Sequence, residues 1–137
     1  MIITAQILKL LRELKDKLNL GLMVISHDLS IVTETCEQAA IIQPGKVAEF
    51  GDIVQIFKDP LHPYTQDLLS AFPSIKAKKT RLISIPGSPP DLTKPPPGCR
   101  FNPRCKYAMK VCRKKVPALL ETEKDHYSAC HLVNPIN

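Results

Sequence analysis

The chain has 137 residues, 44% hydrophobic and only 5% aromatic, with no Trp and a formal charge of +6. No apolar run approaches the roughly 20 residues that span a bilayer, and the opening Met-Ile-Ile-Thr-Ala-Gln lacks the basic stretch and apolar segment of a cleaved leader. A membrane-spanning or exported chain is therefore not expected, and any core must be built from Leu, Ile and Val.

Ile3, Ile7, Leu10, Leu11, Leu14 and Leu18 recur three and four residues apart with charged residues between them, which predicts an amphipathic helix with one buried stripe, stopped by Asn19 and Gly21. Leu22-Met23-Val24-Ile25 is apolar without alternation, the pattern of a parallel strand covered on both faces. Ser26-His27-Asp28 follows at the end of that strand, where open α/β sheets place ligand-binding residues. Asp28 or Ser30 can cap the next helix, whose apolar face includes Leu29, Val32 and Cys36; Cys36 reads as a small buried hydrophobe.

Residues 39–42 and 46–50 read as a hairpin about Pro44-Gly45. Gly51 and Asp52 open a helix over 53–58, and Pro63 opens another whose buried side is Leu68, Leu69 and Phe72. Residues 74–98 hold six prolines and read as an extended linker. Composition thus divides the chain after about residue 73, and two units are expected.

Cys99, Cys105, Cys112 and Cys130 lie in the last third, separated by five, six and seventeen residues. Four thiolates can hold a tetrahedral zinc or one cubane iron-sulfur cluster. Structural zinc sites favour ligand pairs two to four residues apart, and this chain has none, so the wider spacing favours the 4Fe-4S cluster with zinc as the alternative and metal-free thiols or disulfides as a third state. Arg100, Arg104, Lys106, Lys110, Arg113 and Lys114 supply charge compensation for an anionic cluster. His126 and His131 can replace a thiolate in a zinc site, but near a terminus they read as solvated.

The succession helix, Gly, apolar strand, Ser26-His27-Asp28, helix, then Gln43-Pro44-Gly45-Lys46 and Glu49-Phe50-Gly51, resembles the end of the nucleotide-binding domain of ABC transporters. Asp59-Pro60-Leu61-His62-Pro63-Tyr64-Thr65, Leu68 through Pro73, Ile85 through Leu92 and Gly98 through Cys105 resemble the oligopeptide and dipeptide importer branch of that family. His62 and Tyr64 serve here as family markers, read physically as a helix-entry turn with a packed ring.

The resemblance implies an α/β fold, the C-terminal remnant of an ABC ATPase domain over 1–73, a Pro-rich linker over 74–98 and a four-Cys iron-sulfur or zinc domain over 99–137. It implies that His27 is the switch-loop histidine acting on the terminal phosphate of ATP, because a neutral imidazole can both donate and accept. It also implies that Cys99, Cys105, Cys112 and Cys130 hold the cluster. The sequence contains no GxxxxGK[ST], so ATP and Mg belong only to a complete protein and this chain alone is expected not to hydrolyse ATP. Sequence before the first helix is expected to be missing.

The implied partners are transmembrane permease subunits and a partner ATP-binding subunit, at the cytoplasmic face of the membrane. A strand at 22–25 without neighbours leads to the expectation of a homo-oligomer or swapped dimer. Two other classes compete: a four-Cys zinc module that binds nucleic acid through its basic residues, and an accessory iron-sulfur redox protein. Nucleic acid is not expected, because only Phe101, Tyr107 and Tyr127 offer rings near the basic run.

Overall fold

A computed structural model describes residues 2–71, 91 and 93–135. The linker expected over 74–98 therefore lies outside the described residues apart from 91 and 93–98, as does Phe72. Contacts group the chain into two compact units, Met1–Glu37 and Gln38–Asn137. The compositional boundary near residue 73 and this contact boundary mark different things, because the sequence on either side of the Pro-rich stretch contributes to one sheet.

The first unit is a pair of helices. α1 (Ile2–Leu18) ends where Asn19 takes a left-handed backbone (φ 51°) and the Leu20 N–H returns to the Lys15 carbonyl at 3.0 Å, a closure that satisfies a late orphan carbonyl. α2 (Leu29–Thr35) is capped as the sequence predicts, with the Asp28 carboxylate accepting from Ser30 N–H at 2.9 Å. The Arg12 guanidinium donates to the Glu34 carbonyl, and Lys15 pairs with Glu37 at 3.1 Å, joining α1 to the end of α2.

Three expectations are corrected here. The apolar stripe of α1 is not buried, with Ile7, Leu10 and Leu18 all more than half exposed. The parallel strand over 22–25 does not form: residues 20–28 are irregular, and Met23 and Ile25 are 86% and 91% exposed. An apolar run becomes a strand only where another strand supplies its hydrogen bonds, and the described strands of this chain pair with one another. Cys36 is the C-cap residue of α2, half-buried rather than part of a core.

The second unit is organised by a four-stranded antiparallel sheet of order β1-β2-β4-β3. β1 (Gln38–Gln43) and β2 (Lys46–Asp52) form the predicted hairpin; β1 alternates cleanly, burying Ala39, Ile41 and Gln43. β3 (Leu120–Glu123) and β4 (His126–Ser128), which the sequence did not announce, add to its far edge, with Phe50 opposite Tyr127 and their rings 6.0 Å apart. Gly51 permits this approach: a Cβ there would lie 3.0 Å from the His126 ring.

α3 (Ile53–Lys58) starts at Asp52, whose carboxylate accepts from Val54 N–H at 2.8 Å, and buries Ile56 completely. α4 (Pro63–Ser70) starts at His62 with Pro at its first position. Its buried residues are Pro63, Thr65 and Asp67, while Leu68 and Leu69 are half-buried, which corrects the predicted face. On that side Lys106 meets Asp67 at 3.2 Å.

Candidate functional site

The four cysteines of the last third converge. Cys99, Cys105, Cys112 and Cys130 line one small cavity together with His62, Phe101 and His131. Cys99, Phe101 and Cys112 are the buried heart of a cluster against which Tyr64, Cys105 and Val111 pack. All five cysteines are free thiols.

Local backbone chemistry places them. Gly98 adopts φ +72°, and a Cβ on it would fall 2.3 Å from the Cys112 carbonyl, so only glycine allows the chain to pass this close. The Cys99 N–H then donates to that carbonyl at 2.8 Å, bracing two cysteine loops against each other. Cys99, Cys105 and Cys130 each head a tight turn, closed by Asn102, Ala108 and Asn134 N–H groups on their carbonyls at 3.0, 3.2 and 2.9 Å. Inside these turns the amides of Phe101, Tyr107, and Leu132 with Val133 donate to the sulfurs of Cys99, Cys105 and Cys130. Cys112 sits in a single 3-10 turn, Val111–Arg113.

Burial is the main influence on these thiols. It pushes Cys99 up to about 11 and raises Cys105 and Cys130, against the lowering effect of the amide donors, and the neighbouring sulfurs raise them further. Cys99, Cys105 and Cys130 are thereby held in the neutral form, and a metal must displace their protons to bind. Among the described residues no three His, Cys, Asp or Glu side chains are arranged to grip a single ion. The donor set nevertheless fits a larger thiolate-bound group: four sulfurs face one space, and amides stand ready to stabilise negative sulfur. The cavity holds about 10 Å³, near one water, so a group of several atoms enters only as the cysteine loops move apart.

A buried polar network attaches this site to the hairpin. Glu49, fully buried on β2, accepts from Leu61 N–H and His62 N–H at 2.9 Å each and lies 2.7 Å from His126 Nε2, also fully buried. His62 Nδ1 accepts from Tyr64 N–H at 3.0 Å and caps α4, while its ring reaches the Ala129 carbonyl beside Cys130. Burial lowers its pKa to about 4, so it is neutral. Phe101 packs between His62 and Tyr64, at centroid distances of 6.1 and 5.3 Å.

The histidines correct the sequence reading. His126 and His131, expected to be solvated, are 0% and 5% exposed, and His131 Nε2 donates to the Lys115 carbonyl at 3.0 Å. They brace the cysteine loops. Glu49 was missed altogether as a structural hub, since its partners lie far along the chain and no local signal announces them. His27 lies in the first unit, exposed in the bend before Asp28. Of the basic residues, Lys106, Lys110, Arg113 and Lys114 are exposed and Arg100 is half-buried.

Residues 48–112 match the family described as "Oligopeptide/dipeptide transporter, C-terminal region". The chain is 41% identical over 128 residues to the "Dipeptide transport ATP-binding protein DppD" of Caldanaerobacter subterraneus subsp. tengcongensis, covering 93% of this chain and 39% of that protein. It is 45% identical over 129 residues to the protein of the same name in Escherichia coli K12, covering 94% and 39%. The chain thus spans about two fifths of the length of these relatives.

Proposed function

This chain belongs to the oligopeptide/dipeptide transporter family and carries its C-terminal region, and from that premise we propose that it works as part of the ATP-binding subunit of a peptide importer. One observation carries the reading beyond the alignment. The segment 59–65, His62 above all, caps α4 and forms a wall of the thiol cavity, so the stretch resembling importers and the four cysteines are parts of one built unit. In the complete subunit, ATP hydrolysis drives uptake of oligopeptides or dipeptides. His27 there contacts the terminal phosphate, permease subunits and a second ATP-binding subunit are the partners, and the assembly lies at the cytoplasmic face. Among the described residues no helix is long and apolar enough to cross a membrane.

Cys99, Cys105, Cys112 and Cys130 are the residues we assign to a 4Fe-4S cluster. Such a group supplies a four-point crosslink and a one-electron centre when bound. The chain's own residues shape its surroundings: the amides after Cys99, Cys105 and Cys130 stabilise thiolate charge, Phe101 and Tyr64 exclude water, and the neutral His62 adds no charge. Its role is structural or sensory, because the cysteine loops between 99 and 119 hold only a single 3-10 turn of regular structure.

Iron, zinc and acid-labile sulfide analysis of protein purified without oxygen tests the assignment. About four irons and four sulfides per chain are expected; one zinc without sulfide would replace the cluster by the zinc alternative. Phosphate release from ATP by this chain alone should stay at the background of a no-protein control. Light scattering at micromolar concentration should give a dimer or larger, and a monomeric mass would overturn the swapped association expected from the bare apolar run at 22–25.

A further inference from the structure

Positive charge is concentrated in one stretch of the chain. Residues 93–120 hold eight Lys and Arg and no Asp or Glu, whereas the rest of the chain holds eleven Lys and Arg against thirteen Asp and Glu. Lys110, Arg113, Lys114 and Lys115 are exposed. Large apolar side chains stand out among them: Tyr107, Met109, Val116 and Leu119 are all at least 37% exposed, Val116 by 56%. Single apolar residues on a surface are ordinary, but apolar and cationic side chains interleaved without a carboxylate are the composition of a surface that meets anionic lipid.

The same stretch borders a cavity of about 290 Å³ that Cys99 also lines, well above the roughly 10–15 Å³ that one water needs. Residues 116–119 form one wall, and its polar side chains are Gln43, Lys46 and Arg100. Arg100 Nε is buried without a partner among the described residues, and no Asp or Glu lines the space. Gln43 brings no free acceptor. His62 takes the Tyr64 N–H on Nδ1, so its neutral ring carries the proton on Nε2, and the Gln43 amide 3.2 Å away turns its oxygen to that proton. The polar side chains of the cavity thus act as donors, which suits an anion. A bare anion gains nothing from Val47, Val116 and Leu119 on the apolar side; an anionic headgroup carried on an aliphatic body uses both.

We propose that this face docks on an anionic lipid bilayer: a headgroup phosphate sits between Arg100 and Lys46, Val116 and Leu119 lie against the glycerol and upper acyl carbons, and Lys110, Arg113, Lys114 and Lys115 add attraction to the surrounding headgroups. Nucleic acid is the weaker fit, because its bases stack on rings and the exposed side chains at this cavity are aliphatic. Vesicle binding requires neither nucleotide nor metal, so it and the importer reading fail separately.

Flotation of the full chain tests it, with vesicles of about one-third phosphatidylglycerol in phosphatidylcholine set against phosphatidylcholine alone, at about 0.1 M salt. The chain should float with the anionic vesicles, bind phosphatidylcholine alone at least about tenfold more weakly, and come off at about 1 M salt, where the screening length falls to roughly 3 Å. Lys114→Gln with Lys115→Gln should weaken binding about thirtyfold. Val116→Ser with Leu119→Ser should weaken it about tenfold; all four positions are exposed, so the fold is not at stake. No flotation, equal flotation with phosphatidylcholine alone, or complete displacement by inorganic phosphate at matched ionic strength, which would leave a free-anion site only, would each overturn the proposal. So would affinity unchanged by Val116→Ser with Leu119→Ser, which would pass the binding to the exposed stripe of α1, or tighter binding of a single-stranded oligonucleotide than of the anionic vesicles.

Discussion

Residues 1–37 and 38–137 have comparably apolar segments and use them in opposite ways. In the first unit Leu29 is buried but Ile7, Leu10, Leu18, Met23 and Ile25 stay at the surface, and the links between its helices are an Arg12–carbonyl bond and an exposed ion pair. In the second, Ala48 and Ile56 are 0% exposed, and even a carboxylate, Glu49, is sealed inside with its hydrogen bonds made. An apolar pattern states what a segment needs covered; it does not supply the cover. The second unit supplies its own by bringing β4 and the cysteine loops back to the hairpin.

The largest blow to the second unit should come from Glu49→Ala, which strips three buried groups of their acceptor at once. A loss of roughly 3–5 kcal/mol is expected, read as a lower urea midpoint of the full chain; a loss below about 1 kcal/mol would mean that the network holds nothing together. Next comes acid. His62 has a folded pKa of about 4 against an ordinary 6.5, so the unfolded chain takes up the proton first. The stability is fully present above pH 6.5 and is lost as pH falls from there to about 4, by roughly 3 kcal/mol at 1.36 kcal/mol per unit. His62→Asn keeps a capping side chain and should flatten that slope in metal-free protein; an unchanged slope would assign it to other groups.

Gly98→Ala forces a left-handed backbone onto a residue with a Cβ, costing on the order of 1–3 kcal/mol, and drives that Cβ into the Cys112 carbonyl. Iron retained on desalting should fall well below that of the unsubstituted chain, whereas full retention would show that the loops re-form another way. Smallest are changes in the first unit. Met23→Ser with Ile25→Ser should lower the sedimenting mass, since the expected association covers these side chains, and Lys15→Ala should cost under about 1 kcal/mol. A mass unchanged in the double serine variant would mean that the apolar run is not what joins the copies.

Much of the fold could be read locally because its signals are local. Asp28, Asp52 and Pro63 mark helix starts through capping and fixed φ, and Pro44-Gly45 marks a hairpin through its turn. The failures are non-local. Leu120-Glu121-Thr122-Glu123 has too little apolar alternation to declare a strand, and its neighbours are chosen by β2 far upstream. Leu22 to Ile25 resembles a strand by composition and lacks a partner in space. The cysteines could be grouped by count, but what braces them could not: the Glu49–His126 contact and the inward-facing Asp67 and His131 depend on distant chain segments.

Glu49 and His126 are 77 residues apart, and that separation has a timing attached to it. At a synthesis rate of roughly 5–20 residues per second, Glu49 is made about 4–15 s before its histidine. For that interval β2 has an open edge and its carboxylate has no ring to meet. The loops of Cys99, Cys105 and Cys112 emerge in the same window, so these three thiols stay accessible to iron, zinc or oxidant until β4 closes the sheet and Cys130 follows.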